Sequence, residues 1–293
     1  MQYGLTLPNA GACGDPRVVA DLAYEAEEAG WDGVFIWDTL YLTEMVDPAK
    51  AVTCDPWIAL AAVATRTKRI RIGTLVTPLT RRRPWKVARE TVTLDHLSGG
   101  RLVLPVGLGW MGDGGYTKVG EETDRNKRAA MLDEALTIVT GLWSGQPFSF
   151  SGEHYRVEEM TFLPKPAQSP RIPIWVVGAW PKRKSLARAL RYDGILPAKA
   201  GEDGGFFAML TPEDVSELRA YIAEQRQEAG PFDIVLEGST PGDNPEEAAA
   251  KLRPYAEAGL TWWLESVWEA YYSNPNELEE MRTRIRQGPV RVG

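Results

Sequence analysis

The stretch Glu28-Ala29-Gly30-Trp31-Asp32-Gly33-Val34-Phe35-Ile36-Trp37-Asp38 decides the fold. An amphipathic segment over 16–29 stops at a glycine, which tolerates a left-handed cap, and an apolar strand-like run begins almost at once. The same step recurs at Glu257-Ala258-Gly259 before Thr261–Leu264, and more loosely at Tyr192-Asp193-Gly194. Outward from it, apolar runs that read as strands lie at Tyr3–Leu7, Gly33–Trp37, Ile70–Val76, Leu102–Val106, Ile174–Val177, Gly194–Leu196, Ile234–Glu237 and Thr261–Leu264. Helical periodicity fills the intervals near 16–29, 56–66, 84–97, 126–143, 182–191, 212–228, 245–258 and 275–287. Asp55-Pro56, Thr211-Pro212 and Asn274-Pro275 each place a capping side chain before a proline suited to the first helical position.

Alternation of strand and helix from end to end predicts an α/β chain, a (β/α)₈ TIM barrel forming a single domain over 1–293. A doubly wound sheet is the alternative, but no GxGxxG joins the first strand to the first helix. Insertions interrupt the rhythm after strand 4, at 108–125, and after helix 4, at 145–172. The first falls on the rim at the C-terminal ends of the strands, where barrel active sites are built; the second reads as a short β excursion toward the side.

Composition narrows the function. With 33 Lys+Arg against 40 Asp+Glu the net charge is −7, which argues against nucleic acid as a partner. No apolar run approaches the length of a membrane span and no secretory leader pattern is present, so a cytoplasmic protein without membrane association is expected. Only Cys13, Cys54, His96 and His154 supply Cys and His, so no metal site is expected; a redox pair of the two cysteines is the weaker reading. His96 reads as a helix-terminal structural residue and His154 as exposed.

In a barrel, residues just after strands face the rim. These include Pro8-Asn9-Ala10, Asp38-Thr39, Thr77-Pro78, Gly107 to Trp110, Gly178-Ala179-Trp180, Pro197 to Lys199, Gly238 to Thr240 and Glu265-Ser266. The set is poor in bases and nucleophiles and rich in small residues, which suits a flat apolar ligand with a polar edge rather than hydrolysis. The turn from Gly178 through Trp180 to Arg183 and Ser185 opens a helix start suited to phosphate, set against an ordinary solvated turn. Arg81-Arg82-Arg83 reads as either a second anion contact or solvated surface. Asp38 would point into the mouth or cap a turn. Trp31, Trp57, Trp143, Trp175 and Trp268 read as packing residues, while Trp110 and Trp180 would stack on a ligand or pack at the rim.

The order of several motifs resembles the luciferase-like flavin-dependent oxidoreductase family, which includes bacterial luciferase-like monooxygenases and deazaflavin-dependent relatives. The resemblance runs through YGLTLPN, AEEAGWDGVFIWD, RIRIGTLVTP, RPWKVARETVTLDHLSGGRLVLPVGLGW, RAAMLDEALTIVTGLWSG, FSGEHY and IPIWVVGAWP, and covers nearly the whole chain. It implies a barrel that binds reduced FMN, or the deazaflavin coenzyme F-420, at the rim. It also implies a bulge, often with a non-prolyl cis peptide, at Gly73-Thr74-Leu75-Val76 behind the ring, and a phosphate loop at Gly178-Ala179-Trp180. The cofactor contacts expected are Asn9, Thr74, Leu75, Val76, Gly107, Gly109, Trp110, Gly178, Ala179, Trp180, Arg183 and Ser185, with Asp38 and Thr39 in the catalytic position.

Thr39 stands where many members carry His, and Pro105 replaces the usual fourth-strand Gly, which suggests a local bulge. The leading expectation is a monooxygenase using reduced FMN on a small organic substrate, supplied by a separate flavin reductase. The alternatives are an F-420-dependent hydride-transfer reductase or dehydrogenase, and a non-catalytic ligand-binding barrel. A phosphate-site isomerase or lyase without flavin would need Lys199 as its base. A homodimer follows from the resemblance only.

Overall fold

A computed structural model describes residues 1–41, 52–199, 208–267 and 276–292. Strands β1 (Gln2–Leu7), β2 (Gly33–Ile36), β3 (Arg71–Thr74), β4 (Thr77–Pro78) and β5 (Leu104–Gly107) come first. The hairpin β6 (Pro147–Ser151) and β7 (Arg156–Thr161) is followed by β8 (Ile174–Trp180), β9 (Gly194–Lys199), β10 (Asp233–Gly238) and β11 (Trp262–Ser266). Helices α1 (Pro16–Glu28), α2 (Pro56–Arg66), α3 (Pro84–Ser98), α4 (Arg125–Trp143), α5 (Arg183–Ala189), α6 (Pro212–Gln225), α7 (Pro245–Ala258) and α8 (Glu277–Arg286) lie between or after them. The parallel order β3-β2-β1-β11-β10-β9-β8-β5-β4 is that of a barrel whose third strand is broken into β3 and β4. A parallel bridge between Ile72 and Leu102 closes it.

Local chemistry starts the helices where expected. Asp55 caps α2 through the backbone N–H groups of Trp57 and Ile58, and Thr211 forms a reciprocal capping box with Asp214 on α6. The expected start Asn274-Pro275 and the packing residue Trp268 lie outside the described residues. His96 is at the end of α3, with its Nε2 2.7 Å from the Lys165 carbonyl, which agrees with a structural role. The insertion after α4 is the antiparallel pair β6 and β7, seated on the barrel's side because Glu134 of α4 accepts from the N–H groups of Glu153, His154 and Tyr155. His154 is half-buried there rather than exposed.

Alternation along each strand divides the apolar side chains into two bodies. Phe35, Val103, Trp175, Val235, Trp262 and Leu264 fill the barrel interior, and Leu5, Leu7, Val34, Ile36 and Ile72 face the helices. The bulge expected at Pro105 is not formed: Leu104, Pro105 and Val106 pair in unbroken register with Ile174, Trp175 and Val176. Leu104 N–H donates toward β8, so the donor that Pro105 lacks would face the opposite side, where β3 and β4 leave the ladder open. The break in the third strand therefore accommodates the proline.

Candidate functional site at the mouth of the barrel

The broken third strand builds one wall of the mouth. The peptide between Leu75 and Val76 is cis, the non-prolyl cis bond that the motif implied. Leu75 packs against the interior cluster, and a Cβ placed on Gly107 would sit 3.1 Å from both Val76 Cγ2 and Val177 Cγ2. Leu75, Val76, Gly107 and Val177 thus make one apolar face. Thr74 is not part of it: its side chain is buried on the helix side, with Oγ1 2.5 Å from Thr77 Oγ1 across the break. Its place is to brace the ledge from outside.

Asp38 corrects the expectation most clearly. Its side chain is 2% exposed and does not present a free carboxylate to the mouth. Arg82 donates from Nη2 to Oδ1 at 2.7 Å and from Nε to Oδ2 at 3.1 Å, and Arg81 reaches Oδ1 at 3.2 Å. Arg81 also pairs with Asp113, which accepts from the backbone N–H groups of Leu40, Tyr41 and Gly115. Burial opposes the Arg81 charge, but the carboxylates of Asp38 and Asp113 outweigh it and hold its pKa raised. Arg81 and Arg82 are therefore neither solvated surface nor anion contacts. They fasten the first insertion to the ends of the second and third strands.

Tyr116 completes that fastening. Its hydroxyl lies 2.8 Å from both Thr80 Oγ1 and the Leu108 carbonyl, and Arg128 donates to the carbonyls of Leu108 and Gly109. Gly109 has φ +81°, and a Cβ there would fall 1.9 Å from the Tyr116 hydroxyl, so glycine is required for the insertion to close. Trp110 is half-buried and packs against the large apolar cluster. Asp113, Tyr116 and Arg128 were missed because nothing local distinguishes them from a polar loop.

Asn9 and Thr39 meet beside Asp38. Asn9 Nδ2 donates to the carbonyls of Thr39 at 2.9 Å and Cys54 at 2.8 Å, which fixes the amide orientation. Its Oδ1 is buried without a partner among the described residues, and so is the hydroxyl of Thr6. Thr6 lies between the outward Leu5 and Leu7, so its side chain faces the interior. Its register partner Ser266 donates to Glu237 Oε1 at 3.2 Å. Strand parity was the available signal for Thr6 and Glu237. Glu265, one residue earlier than Ser266, faces the helices instead, accepts from Thr240 and Trp263, and forms an ion pair with Arg284 at 3.4 Å.

The expected phosphate turn lies across the mouth. A Cβ on Gly178 would come 2.6 Å from Ile195 Cδ1 and 3.4 Å from Leu186 Cδ2, so this glycine makes room for packing rather than for a ligand. Ala179 N–H donates to Ser185 Oγ at 2.9 Å, and Trp180 Nε1 donates to Asp214 at 3.1 Å. Trp180 therefore packs by a polar anchor. Lys199, the one base considered for a flavin-free lyase, donates to both Asp214 oxygens at 2.7 and 3.0 Å. Arg183 is exposed beside the turn. A separate cleft of about 420 Å³, lined by residues such as Arg219, Arg226, Phe232 and Thr261, is at the opposite end of the strands.

The cysteines do not form a redox pair in this state. Cys13 is fully buried, with its thiol pushed up by desolvation, and Cys54 is pushed up to about 11, also mainly by burial. Neither favours the reactive thiolate. Among the described residues no group of three or more His, Cys, Asp or Glu side chains is arranged to hold a metal ion.

With this geometry in place, the family model for luciferase-like monooxygenases matches residues 1–288. The chain belongs to that family. This family member is thus an oxidoreductase with the barrel its motifs implied. It is 30% identical over 266 residues to an F-420-dependent glucose-6-phosphate dehydrogenase of Nakamurella multipartita, covering 84% of this chain and 72% of that protein. In fold it is similar to an F-420-dependent secondary alcohol dehydrogenase solved with an F-420–acetone adduct, with TM-score 0.77, 18% identity and coverage of 99% and 98% of the two chains. It is also similar to the FMN-bound oxygenating constituent of 3,6-diketocamphane monooxygenase from the CAM plasmid of Pseudomonas putida, with TM-score 0.71, 15% identity and coverage of 98% and 97%.

Proposed function

We propose that this luciferase-like family member is a coenzyme F-420-dependent oxidoreductase that moves a hydride to or from a small organic substrate, with a cytoplasmic setting and a homodimeric state as parts of the same reading. The observation that carries it is the 30% identity to an F-420-dependent dehydrogenase across 84% of the chain. This displaces the FMN monooxygenase from first place. The solved structures, at 18% and 15% identity, speak for the fold in either case.

The residues at the mouth fit a flat deazaflavin ring. Leu75, Val76, Gly107 and Val177 offer an apolar face, and the unpaired Asn9 Oδ1 offers an acceptor for a ring N–H. Such an orphan costs about 1–3 kcal/mol when buried, which a ligand donor would recover. Bound coenzyme supplies a ring carbon that accepts or gives hydride. The protein's part is to hold the ring edge at Asn9, support its face at Leu75 and Val76, and receive the phosphate-bearing tail near Ala179, Arg183 and Ser185. Asp38 acts at one remove, by keeping Arg81 and Arg82 in place.

Titration of the purified protein with F-420 and with FMN, each oxidised and reduced, tests the reading by cofactor fluorescence or absorbance. The expected result is F-420 affinity at least about tenfold above that for FMN, a difference of about 1.4 kcal/mol. Tighter binding of reduced FMN together with oxygen consumption would restore the monooxygenase, and binding of neither would favour a non-catalytic barrel.

A further inference from the structure

A primary amide has a donor end and an acceptor end, so holding one end aims the other. Asn9 Nδ2 is held between two carbonyls, that of Cys54 at 2.8 Å and that of Thr39 at 2.9 Å, and Oδ1 is the end left without a partner among the described residues. The two holds differ in origin. Cys54 travels with Asn9, because its N–H donates to the Asn9 carbonyl at 3.0 Å and Thr53 bridges to Ala10 beside it. Thr39 lies past the end of β2, beyond the bond at 3.0 Å from the Trp37 N–H to the Leu7 carbonyl, and its place is set from another part of the chain.

That part is the insertion after β5. Asp113 is buried and accepts at Oδ1 from the N–H groups of Tyr41 at 3.0 Å and Gly115 at 2.9 Å. At Oδ2 it accepts from the Leu40 N–H at 3.2 Å and from Arg81. Arg81 extends the hold upstream, since its Nη2 donates to the Asp38 carbonyl. The Asp38 carbonyl and the Leu40 N–H flank Thr39, so one carboxylate anchors the chain on both sides of it. Glycines let the insertion come this close: a Cβ on Gly114 would fall 2.6 Å from Tyr41 Cδ1, and one on Gly115 would fall 2.8 Å from Leu40 Cβ. A carboxylate has about four acceptor positions, and these contacts use as many. Asp113 therefore acts on the mouth through the chain it holds.

We infer that Asp113 is a positioning residue for the cofactor ring: by fixing Leu40, Tyr41 and Arg81 it fixes the Thr39 carbonyl, which orients the Asn9 amide and aims Oδ1 at the ring N–H. The insertion after β5 is then part of cofactor recognition, through a residue that makes its contacts within the loops. Charge balance for Arg81 is a separate role of the same carboxylate, and the two roles make different demands. Balance needs a negative charge near the guanidinium, whereas positioning needs the oxygens in register with the N–H groups of Leu40 and Tyr41. The inference rests on the reading that the ring edge meets Asn9.

The test uses Asp113→Asn, Asp113→Glu, Asn9→Ala and the double variant of Asp113→Asn with Asn9→Ala. One readout is solvent exchange of the Asn9 side-chain amide in the cofactor-free protein, followed by nitrogen-edited NMR on the signal pair that Asn9→Ala removes. The other is F-420 affinity by fluorescence titration. Asp113→Asn is expected to speed the exchange at least about tenfold and to weaken F-420 binding about tenfold. The double variant should bind F-420 within about twofold of Asn9→Ala alone, because the two residues act on one contact. Asp113→Glu keeps the charge beside Arg81 but moves the oxygens by one methylene, and the same faster exchange is expected; this variant also carries both readouts if Asp113→Asn does not fold. Wild-type exchange and affinity in Asp113→Glu would mean that charge alone matters and would overturn the inference. Losses of affinity that multiply in the double variant overturn it too. A wild type that binds no F-420 removes the functional reading, and the amide exchange still decides whether Asp113 holds Asn9.

Discussion

The Arg101 and Glu27 clusters at the N-terminal end and the Thr6–Asn9 stretch at the mouth treat buried polar groups in opposite ways. At the N-terminal end, Arg101 donates to the carbonyls of Ser98, Ile70, Ala64 and Thr67 and to the Thr67 hydroxyl, all between 2.6 and 3.1 Å. Glu27 accepts there from the backbone N–H groups of Lys68, Arg69 and Ile70. At the mouth, Thr6 and Asn9 keep buried oxygens without partners among the described residues. Around Arg101 and Glu27 saturated hydrogen bonding holds helix ends to strand starts, whereas at Thr6 and Asn9 the bonding is left for a ligand to complete. The mouth is not uniformly open, however. Asp38, Arg81 and Asp113 make its loops as firmly tied as the opposite end.

That tied part of the mouth gives the largest expected effect. Arg81→Met leaves two buried carboxylates without one of their cations, and destabilisation of about 3–5 kcal/mol is expected in urea unfolding. Because Asp113 also holds Leu40, Tyr41 and Gly115, cofactor affinity should fall in the same variant. A loss of stability with unchanged cofactor affinity would show that the insertion is not part of the binding wall.

A smaller effect is expected at the closed end, with no loss of binding. Burial alone would raise the Glu27 pKa, but three backbone donors and Arg69 hold it below its ordinary 4.5. A depressed carboxylate adds stability that is present above the unfolded pKa and is lost as pH falls through the folded one. Glu27→Gln should therefore cost about 2 kcal/mol at neutral pH, and its gap from wild type should narrow below about pH 4.5. A gap that stays constant on acidification would place the role of Glu27 in packing.

Thr6→Val should change ligand-free stability least, by about 1 kcal/mol or less and in the stabilising direction, because it removes a buried hydroxyl that has no partner. Ligand affinity should fall in the same variant. A clear loss of ligand-free stability would mean that the hydroxyl is already satisfied, and the contrast between the two ends would weaken.

Legibility in the sequence followed the range of the forces involved. The helix α2 runs over Pro56–Arg66 as its cap and periodicity indicated, because both are local. The third strand, expected as one run to Val76, breaks at Leu75-Val76, and β8 and β9 extend beyond their apolar runs to Trp180 and Lys199. Those ends depend on neighbouring strands, since Ala179 and Trp180 pair with Ala198 and Lys199.

Of the site, Asn9, Leu75, Val76 and Gly107 were placed by position after a strand and by the family motif, and they do lie at the mouth. Thr74 was expected among the ring contacts, but it follows the outward-facing Ile72 by two residues, so strand alternation turns its side chain away from the mouth toward Thr77. Asp38 was given the catalytic position, with a turn cap as the alternative, because its partners Arg81 and Arg82 are more than forty residues away in sequence.

The sequence by itself determined the order of strands and helices, the barrel class and the family, since periodicity, caps and motifs are properties of short stretches of chain. Only the tertiary structure decided which polar side chains were spent on each other and which were left over. That distinction depends on burial and on partners brought together from distant segments: Arg81 neutralises Asp38 and Asp113, while Thr6 Oγ1 and Asn9 Oδ1 are buried with no partner among the described residues.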